Sequence, residues 1–481
     1  MITKTRIVAT LGPASAAPQT ISRLIEAGVR VFRLNFSHGE LSAHQAMLAA
    51  VRNAAQKVPF AVSVMGDLCG PKIRLCPIQP DGGTIEPGQT VRILRQLDAG
   101  RPDCFATTLP ELVDRVRLGQ RVLLDDGAIV LQAESKTDDA LLCRVLVGGP
   151  VRSRKGVNLP DTDLGIPAIT PRDWQWADWA VQNQLDYLAL SFVQQADEIV
   201  QLKQALQQKH SPIKVVAKIE KPRAVDNLEA IVRTADAILV ARGDLGVEMP
   251  AAEAPLIQKR ITLLGRRFGK PVIVATQVLQ SMIENPSPTR AEVSDIANAV
   301  MDYADAIMLS GETAVGKYPV ESAQVISQVC ARTEEYLDAQ KLPRPPIETD
   351  PDLHSLSVIA RCVAQMLDEI PCALVLVAAK TGTTARLLSK ARIDVPIISF
   401  CPDERINQQM GLHYGVSGVV CPMMASLEEF TAYAQKAVLK HGWAKPGQQV
   451  LLLPGRDLLA GRDSQAIVLH SLQQPTDAPV S

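Results

Sequence analysis

Eight short β-branched runs, most of them separated by helical patterns, constrain this chain more than any other feature. They are Arg6–Leu11, Val31–Ser37, Phe60–Asp67, Asp186–Phe192, Lys214–Glu220, Ala237–Asp244, Pro271–Gln277 and Ala306–Glu312. Helical patterns such as Pro18–Ala27 and Ala196–Gln208 fall between them, which predicts parallel βα units, and eight such units close naturally into a (β/α)8 barrel. A doubly wound open sheet is the structural alternative. About 120 residues separate the third run from the fourth, far more than a βα connection uses. Residues 69–159 carry the turn clusters Pro80-Asp-Gly-Gly, Glu86-Pro-Gly and Asp125-Asp-Gly between alternating runs such as Val91–Leu94 and Arg121–Leu124. That pattern predicts a small inserted β domain. Lys341-Leu-Pro-Arg-Pro-Pro reads as a linker, and a second β/α series follows at Ala373–Ala379, Pro396–Phe400, Gly418–Val420 and Gln449–Leu453. The expected organisation is a barrel from 1–68 and 160–342, an insert at 69–159, and a C-terminal α/β domain at 343–481.

Composition narrows the class of partner. The chain has 481 residues, 47% of them hydrophobic, and 50 basic against 51 acidic side chains, with no run of five or six like charges. A nucleic-acid or anionic-membrane surface is therefore not expected. Nine scattered cysteines form no CxxC pair and read as reduced thiols of a cytoplasmic protein. No signal peptide is expected, and no apolar stretch approaches the ~18 to 20 residues of a bilayer span.

Chemistry shows where polar residues interrupt the strands. Residues two apart on a strand share a face, so Arg33, Asn35 and Ser37 form a polar stripe, while Leu34 and Phe36 point the other way. The same spacing pairs Lys218 with Glu220, Arg242 with Asp244, and Ser310 with Glu312; Asp67 ends the third run. All lie at C-terminal strand ends, the rim where barrel chemistry occurs. Buried charges need partners, a metal or a ligand. Structural ion pairs would explain any one pair, but five strands together favour a site. Glu220 and Asp244 are suited to one hard divalent cation, Mg²⁺ or Mn²⁺, and Arg33 and Lys218 to a phosphorylated anion. With no His or Cys cluster, zinc is not expected.

Two other features carry less. Gly311-Glu-Thr-Ala-Val-Gly-Lys317 has P-loop spacing, but Tyr318 stands where Ser or Thr should hold Mg²⁺. Trp174, Trp176 and Trp179 are expected to pack, and His38 to be peripheral.

At this point the chain resembles the pyruvate kinase family over nearly its whole length. The resemblance rests on Lys4-Thr-Arg-Ile-Val-Ala-Thr-Leu-Gly-Pro-Ala-Ser, Phe32-Arg-Leu-Asn-Phe-Ser-His-Gly, Val215-Val-Ala-Lys-Ile-Glu-Lys-Pro, Ala241-Arg-Gly-Asp-Leu-Gly-Val-Glu, Ala275-Thr-Gln and Met308-Leu-Ser-Gly-Glu-Thr-Ala. It implies a catalytic barrel, an inserted β lid and a C-terminal effector domain. It also implies phosphoryl transfer from phosphoenolpyruvate to ADP, giving ATP, followed by protonation of the enolate. By the matching motifs, Glu220 and Asp244 bind the divalent ion, and Arg33 and Lys218 neutralise the phosphoryl group. Gly243, Asp244 and Thr276 hold the substrate carboxylate, while Thr276, Ser310 and Glu312 are the candidates for proton delivery. Thr10, Pro13, Asn35, Arg74 and Lys155 grip the nucleotide, which a second divalent ion accompanies.

One departure is informative. Many members read Asp-Thr-Lys-Gly-Pro-Glu-Ile-Arg where this chain has Asp67-Leu68-Cys69-Gly70-Pro71-Lys72-Ile73-Arg74. In such members a monovalent cation sits among residues matching Asn35, Ser37, Asp67 and Leu68. Lys72 replaces an acidic residue beside that site, so its ammonium is expected to stand in for K⁺, which would not be required; a solvated surface lysine is the plainer explanation. The resemblance also makes Thr381, Thr383 and Thr384, with the neighbouring loop Gly455–Gly461, a phosphate site for a sugar-phosphate or nucleotide effector, and implies a homotetramer. An aldolase or lyase working through a pyruvate enolate is the enzymatic rival, but it has no nucleotide for Arg74 and Lys155. A silent sensor is the other, and retention of the rim residues argues against it.

Overall fold

The ring of strands closes because each pairs in parallel with its neighbours: Arg6–Thr10, Val29–Asn35, Ser63–Asp67, Tyr187–Leu190, Lys214–Ile219, Ala237–Ala241, Val272–Ala275 and Ala306–Leu309. Arg6 against Ala306 joins first strand to last, and Asp67 against Ala189 pairs third with fourth across the insertion. This computed structural model describes residues 3–250, 252–340, 347, 353–455, 458 and 465–474. The closed barrel replaces the open-sheet alternative.

Alternation along the strands sorts the core into two layers. Val8, Val31, Met65, Ala189, Val216, Leu239, Ile273 and Met308 fill the interior. Phe32, Leu34, Val64, Val215, Ile238, Val274 and Leu309 pack outward under the helices. Phe36 belongs to that outer layer, where Trp176 stacks on it at 4.3 Å and Trp179 meets it edge-on. Trp174 packs against the same cluster. The tryptophans serve packing, as expected.

Several strands end earlier than the sequence pattern suggested. Helices begin at Arg242 (Arg242–Glu248) and at Gly311 (Gly311–Ala314), so Arg242/Asp244 and Ser310/Glu312 do not share a strand face. The correction has a physical cause: past Ala241 and Leu309 the buried strands end and the chain turns into helix at Arg242 and Gly311.

The insert forms a six-stranded sheet from Thr90–Leu94, Cys104–Ala106, Arg121–Leu124, Ile129–Lys136, Ala140–Val147 and Val157–Asn158, with a separate pair, Gly83–Ile85 and Gly149–Val151. Its own core includes Val91, Phe105, Leu131 and Val145. The C-terminal sheet has parallel strands Cys372–Ala378, Ile397–Cys401, Val416–Val420 and Gln449–Leu453. A fifth, antiparallel edge strand, Val468–Ser471, was not anticipated. Its short, half-exposed VLHS pattern gives little signal. The linker 341–346 and most of the expected loop 455–461 lie outside the described residues. All nine cysteines are free thiols. Among the described residues no helix is long and apolar enough to cross a membrane.

The C-terminal domain plugs the base of the barrel. Leu412 is fully buried among the interior side chains, and Tyr187 Oη donates to the Gln409 carbonyl at 2.5 Å. Beside them Asp305, at the foot of the last barrel strand, is fully buried between Lys390 and Arg392 and accepts the Val272 N–H at 2.7 Å. Burial drives the Lys390 ammonium down to about 8, against the pull of Asp305. Removing one partner of such a buried ion cluster strands the others. Asp305→Ala is therefore expected to destabilise the barrel junction by about 3–5 kcal/mol, measured as a lower midpoint of denaturant unfolding, with a change below ~1 kcal/mol contradicting the assignment.

Candidate active site

At the mouth the inward parity of Val31, Met65 and Val216 continues into Arg33, Asp67 and Lys218, so three charges meet where the apolar filling ends. Arg33 Nε donates to Asp67 Oδ2 at 2.6 Å, and its Nη1 to Thr10 Oγ1 at 3.0 Å. Lys218 Nζ lies 3.4 Å from Asp67 Oδ1, 2.7 Å from Glu220 Oε1, and donates to Ser191 Oγ at 2.7 Å. Glu220 Oε2 accepts the Phe192 N–H at 2.9 Å, where Phe192 turns into the left-handed region at φ 59°.

The electrostatics follow from burial. Burial opposes the Lys218 ammonium, but Asp67 and Glu220 outweigh it and hold its pKa above the usual lysine value. Asp67 is likewise penalised by burial, yet Lys218 and Arg33 hold its carboxyl below the ordinary range. Glu220 goes the other way: burial pushes it up, Lys218 opposes, and the negative charge of Asp244 adds to the rise. Two neighbouring carboxylates with an unfavourable mutual charge fit a divalent cation held by oxygen ligands. Among the described residues no cluster of three or more His, Cys, Asp or Glu side chains offers a complete protein cage.

Thr276, just past the strand Val272–Ala275, sits at φ 64° with Gln277 at φ 54°. Its Oγ1 accepts the Gly243 N–H at 2.7 Å and donates to the Ala275 carbonyl at 2.7 Å. Arg242 braces this turn, donating to the Thr276 carbonyl at 3.0 Å while paired with Asp295 at 2.5 Å. Gly243, Asp244 and Thr276 are thus brought together. Ser310 Oγ is buried without a hydrogen-bond partner. Glu312 is less available than its motif suggested, because Oε2 accepts the Ser310 N–H at 2.8 Å and Oε1 the Leu279 N–H at 3.0 Å.

Residues expected to grip a nucleotide divide. Pro13 is exposed and Asn35 half-buried, with Asn35 Oδ1 accepting the Ser37 N–H at 3.1 Å. Thr10 is buried, its hydroxyl committed to Arg33 and to the Leu309 carbonyl at 2.8 Å. From the insert, Arg74 donates to the Arg154 carbonyl at 3.2 Å, and Lys155 pairs with Asp125 at 2.9 Å. A cleft of about 460 Å³ between insert and barrel is lined by Asp244, Phe192, Lys221, Lys72 and Asn158. Leu68 is buried and gives its carbonyl to Ser191 Oγ at 2.8 Å. Lys72 is exposed, and with Arg74 and Arg33 its charge adds to the burial that holds His38 below the usual imidazole value. Sequence reasoning missed Ser191, which continues the inward parity of Ala189, and Arg242 as a brace. In the P-loop-like segment Lys317 pairs with Glu284 at 2.5 Å on the surface.

In the C-terminal domain Thr381 Oγ1 and Thr383 Oγ1 are 3.0 Å apart across Gly382, whose φ of 76° suits glycine. Both, with Thr384, line a cavity of about 560 Å³.

A barrel with an inserted β lid, an α/β third domain and interleaved cations and carboxylates at its rim is built to handle a small anion. Residues 2–323 match the family model described as Pyruvate kinase, barrel domain, and residues 357–465 that described as Pyruvate kinase, alpha/beta domain. The chain is 40% identical over 453 residues to a pyruvate kinase of Mycobacterium intracellulare, covering 94% of both. It is 39% identical over 478 residues to a pyruvate kinase of Corynebacterium glutamicum, covering 98% of both. The crystal structure of a pyruvate kinase from Cryptosporidium parvum superposes with a TM-score of 0.88 at 31% identity, covering 98% of this chain and 96% of that one. The class is that of the phosphotransferases. The chain belongs to the pyruvate kinase family.

Lys218→Met removes a charge aimed at the mouth, while Arg33 still satisfies Asp67. It is expected to lower kcat by at least ~10²-fold with near-native circular dichroism. Near-normal turnover would refute the assignment.

Proposed function

We propose that the enzyme transfers the phosphoryl group of phosphoenolpyruvate to ADP, with the site residues in the following roles. The observation that carries this is Lys218, an ammonium bonded at once to Glu220 and Ser191 and facing Asp67 at the barrel mouth. Arg33 and Lys218 offset charge on the phosphoryl group as it moves, and Lys218 also stabilises the enolate oxygen that remains. This is preorganised electrostatics, which a loose phosphoryl-transfer transition state requires. The Gly243 N–H and Thr276 hydroxyl receive the substrate carboxylate beside Asp244 by exchanging their present bonds to Thr276 Oγ1 and the Ala275 carbonyl for it. Thr276 and Ser310 carry the proton to the enolate carbon, the buried and unpartnered Ser310 Oγ through a water it can hold. Glu312 keeps the Ser310 turn in place through its backbone bonds. Arg74, Lys155, Pro13 and Asn35 contact the nucleotide, and Thr10 acts through Arg33.

Glu220 and Asp244 would hold Mg²⁺ or Mn²⁺, completing its shell with substrate and water oxygens. Such an ion supplies charge neutralisation between the carboxylate and phosphoryl groups of the substrate. A second divalent ion would accompany ADP.

K⁺ independence is the finer proposal. Lys72 is exposed, and its charge bears on His38, the neighbour of Ser37. An ammonium there supplies the charge a monovalent cation would bring. The Thr381, Thr383 and Thr384 cavity suits a phosphorylated effector, and a cytoplasmic homotetramer, with the domain limits given above, completes the reading.

A pyruvate-release assay with and without ADP and K⁺, titrated with sugar phosphates and nucleoside monophosphates, tests the reaction, cation and effector together. Pyruvate release should require ADP. Withdrawing K⁺ should change kcat by less than about tenfold, ~1.4 kcal/mol. Lys72→Glu should introduce a K⁺ requirement; a larger loss in the unaltered enzyme would contradict the substitution.

A further inference from the structure

The seam between insert and barrel contains a carboxylate that none of these roles uses. Glu248 is the last residue of the helix Arg242–Glu248, and its side chain is fully buried. Its Oε1 accepts a hydrogen bond from Asn158 Nδ2 at 2.8 Å and is ion-paired with Lys221 Nζ. Its Oε2 is buried and accepts no hydrogen bond.

This is a poor place to put a carboxylate for local stability. The C-terminal end of a helix carries partial negative charge, so an acidic side chain there is disfavoured. A buried ion pair is seldom more stabilising than a well-packed apolar residue of similar size, but it fixes geometry. The three elements that meet at Glu248 show what is being fixed. Its own helix carries Gly243 and Asp244. Lys221 follows directly on Glu220. Asn158 belongs to the strand Val157–Asn158, which pairs with Leu124 and Leu123 of the insert. Just before it the Val157 N–H bonds the Ile73 carbonyl at 3.0 Å, and Gly156 bridges to Arg74. The Asp125 N–H bonds the Gly156 carbonyl at 3.0 Å, and Asp125 in turn pairs with Lys155. One carboxylate thus ties the Arg74 and Lys155 arm of the insert to both carboxylate-bearing elements of the barrel.

We propose that Glu248 is a positioning residue that latches the inserted domain over the mouth and sets the distance between the nucleotide-side cations and the Glu220 and Asp244 carboxylates. It touches neither substrate nor reacting atoms in this assignment, and it rests on the reading of Arg74 and Lys155 as nucleotide contacts. Losing the latch should therefore weaken steps that need the insert and spare those that need only the barrel.

Two variants approach the contact from opposite sides: Glu248→Ala in the barrel and Asn158→Ala in the insert, the latter leaving the helix of Asp244 untouched. Each is compared with the unaltered full chain for kcat and for KM toward ADP and phosphoenolpyruvate. Exchange of pyruvate methyl protons for deuterium in D₂O, the protonation step run in reverse, is followed in parallel by NMR and needs no ADP. The expected result is a rise in KM for ADP of at least about fivefold in both variants. KM for phosphoenolpyruvate and the exchange rate should stay within about twofold, with Glu248→Gln, which keeps an acceptor for Asn158, lying between. Unchanged KM for ADP in Asn158→Ala, or equal losses in all readouts, overturns the latch. If the unaltered chain itself neither exchanges nor consumes ADP, the reaction assignment falls and the latch with it.

Discussion

Lys218 at the barrel mouth has carboxylates on two sides, Asp67 at 3.4 Å and Glu220 at 2.7 Å, and Arg33 holds the far oxygen of Asp67. None of these groups is tolerable alone where it sits, because an unpaired buried charge either neutralises or destabilises the fold. Shared, they form a chain of alternating sign that ends in two distinct edges. Arg33 and Lys218 present positive charge; Glu220, paired with Lys218 on one oxygen and bonded to the Phe192 N–H on the other, still carries a carboxyl that burial and the nearby Asp244 push up. In the proposed reaction a small substrate with both anionic groups and a bound cation would complete the alternation. The surrounding barrel is the means of holding that chain of charges rigid.

Rigidity comes from both ends. Below, Leu412 closes the interior and Asp305 joins the feet of the last two strands to Lys390 and Arg392 of the C-terminal domain. Above, the strands stop at Ala241, Ala275 and Leu309, and turns follow in which Gly243 N–H bonds Thr276 Oγ1 and Ser310 N–H bonds Glu312. Thr276 and Gln277 accept consecutive left-handed conformations, an expense that Arg242 and the Gly243 N–H offset by direct hydrogen bonds. The helix Thr383–Lys390 begins at the threonine cluster and ends at the Asp305 cluster, so the cavity lined by Thr381, Thr383 and Thr384 and the barrel base share one element.

Much of this was legible in the residue order. The β-branched runs marked the barrel strands because parallel strands buried on both faces read as apolar runs, and the interruption at Arg33, Asp67 and Lys218 marked the rim because charge cannot lie in a packed interior without cause. Period-two spacing failed where it was carried past the strand ends: Asp244 and Glu312 lie on short helices, whose onset after Ala241 and Ser310 no alternation pattern reveals. Ser191 and Glu248 were missed for another reason. A serine, or a glutamate after an apolar run, is ordinary in sequence, and each gains meaning only from the partner that folding brings to it: Lys218 in one case, Asn158 from ninety residues away in the other. Val468–Ser471 escaped notice because an edge strand half open to solvent has neither period nor length to announce it.

The central claim is that Glu220 and Asp244 form an oxygen-only seat for a divalent cation at the mouth. Titration of Mn²⁺ into the unaltered protein and into Glu220→Gln, followed by electron paramagnetic resonance of the free ion, tests it without recourse to turnover. The account predicts binding to the unaltered chain that weakens at least about tenfold in the variant, a difference of ~1.4 kcal/mol. Equal affinity in the two proteins would contradict it.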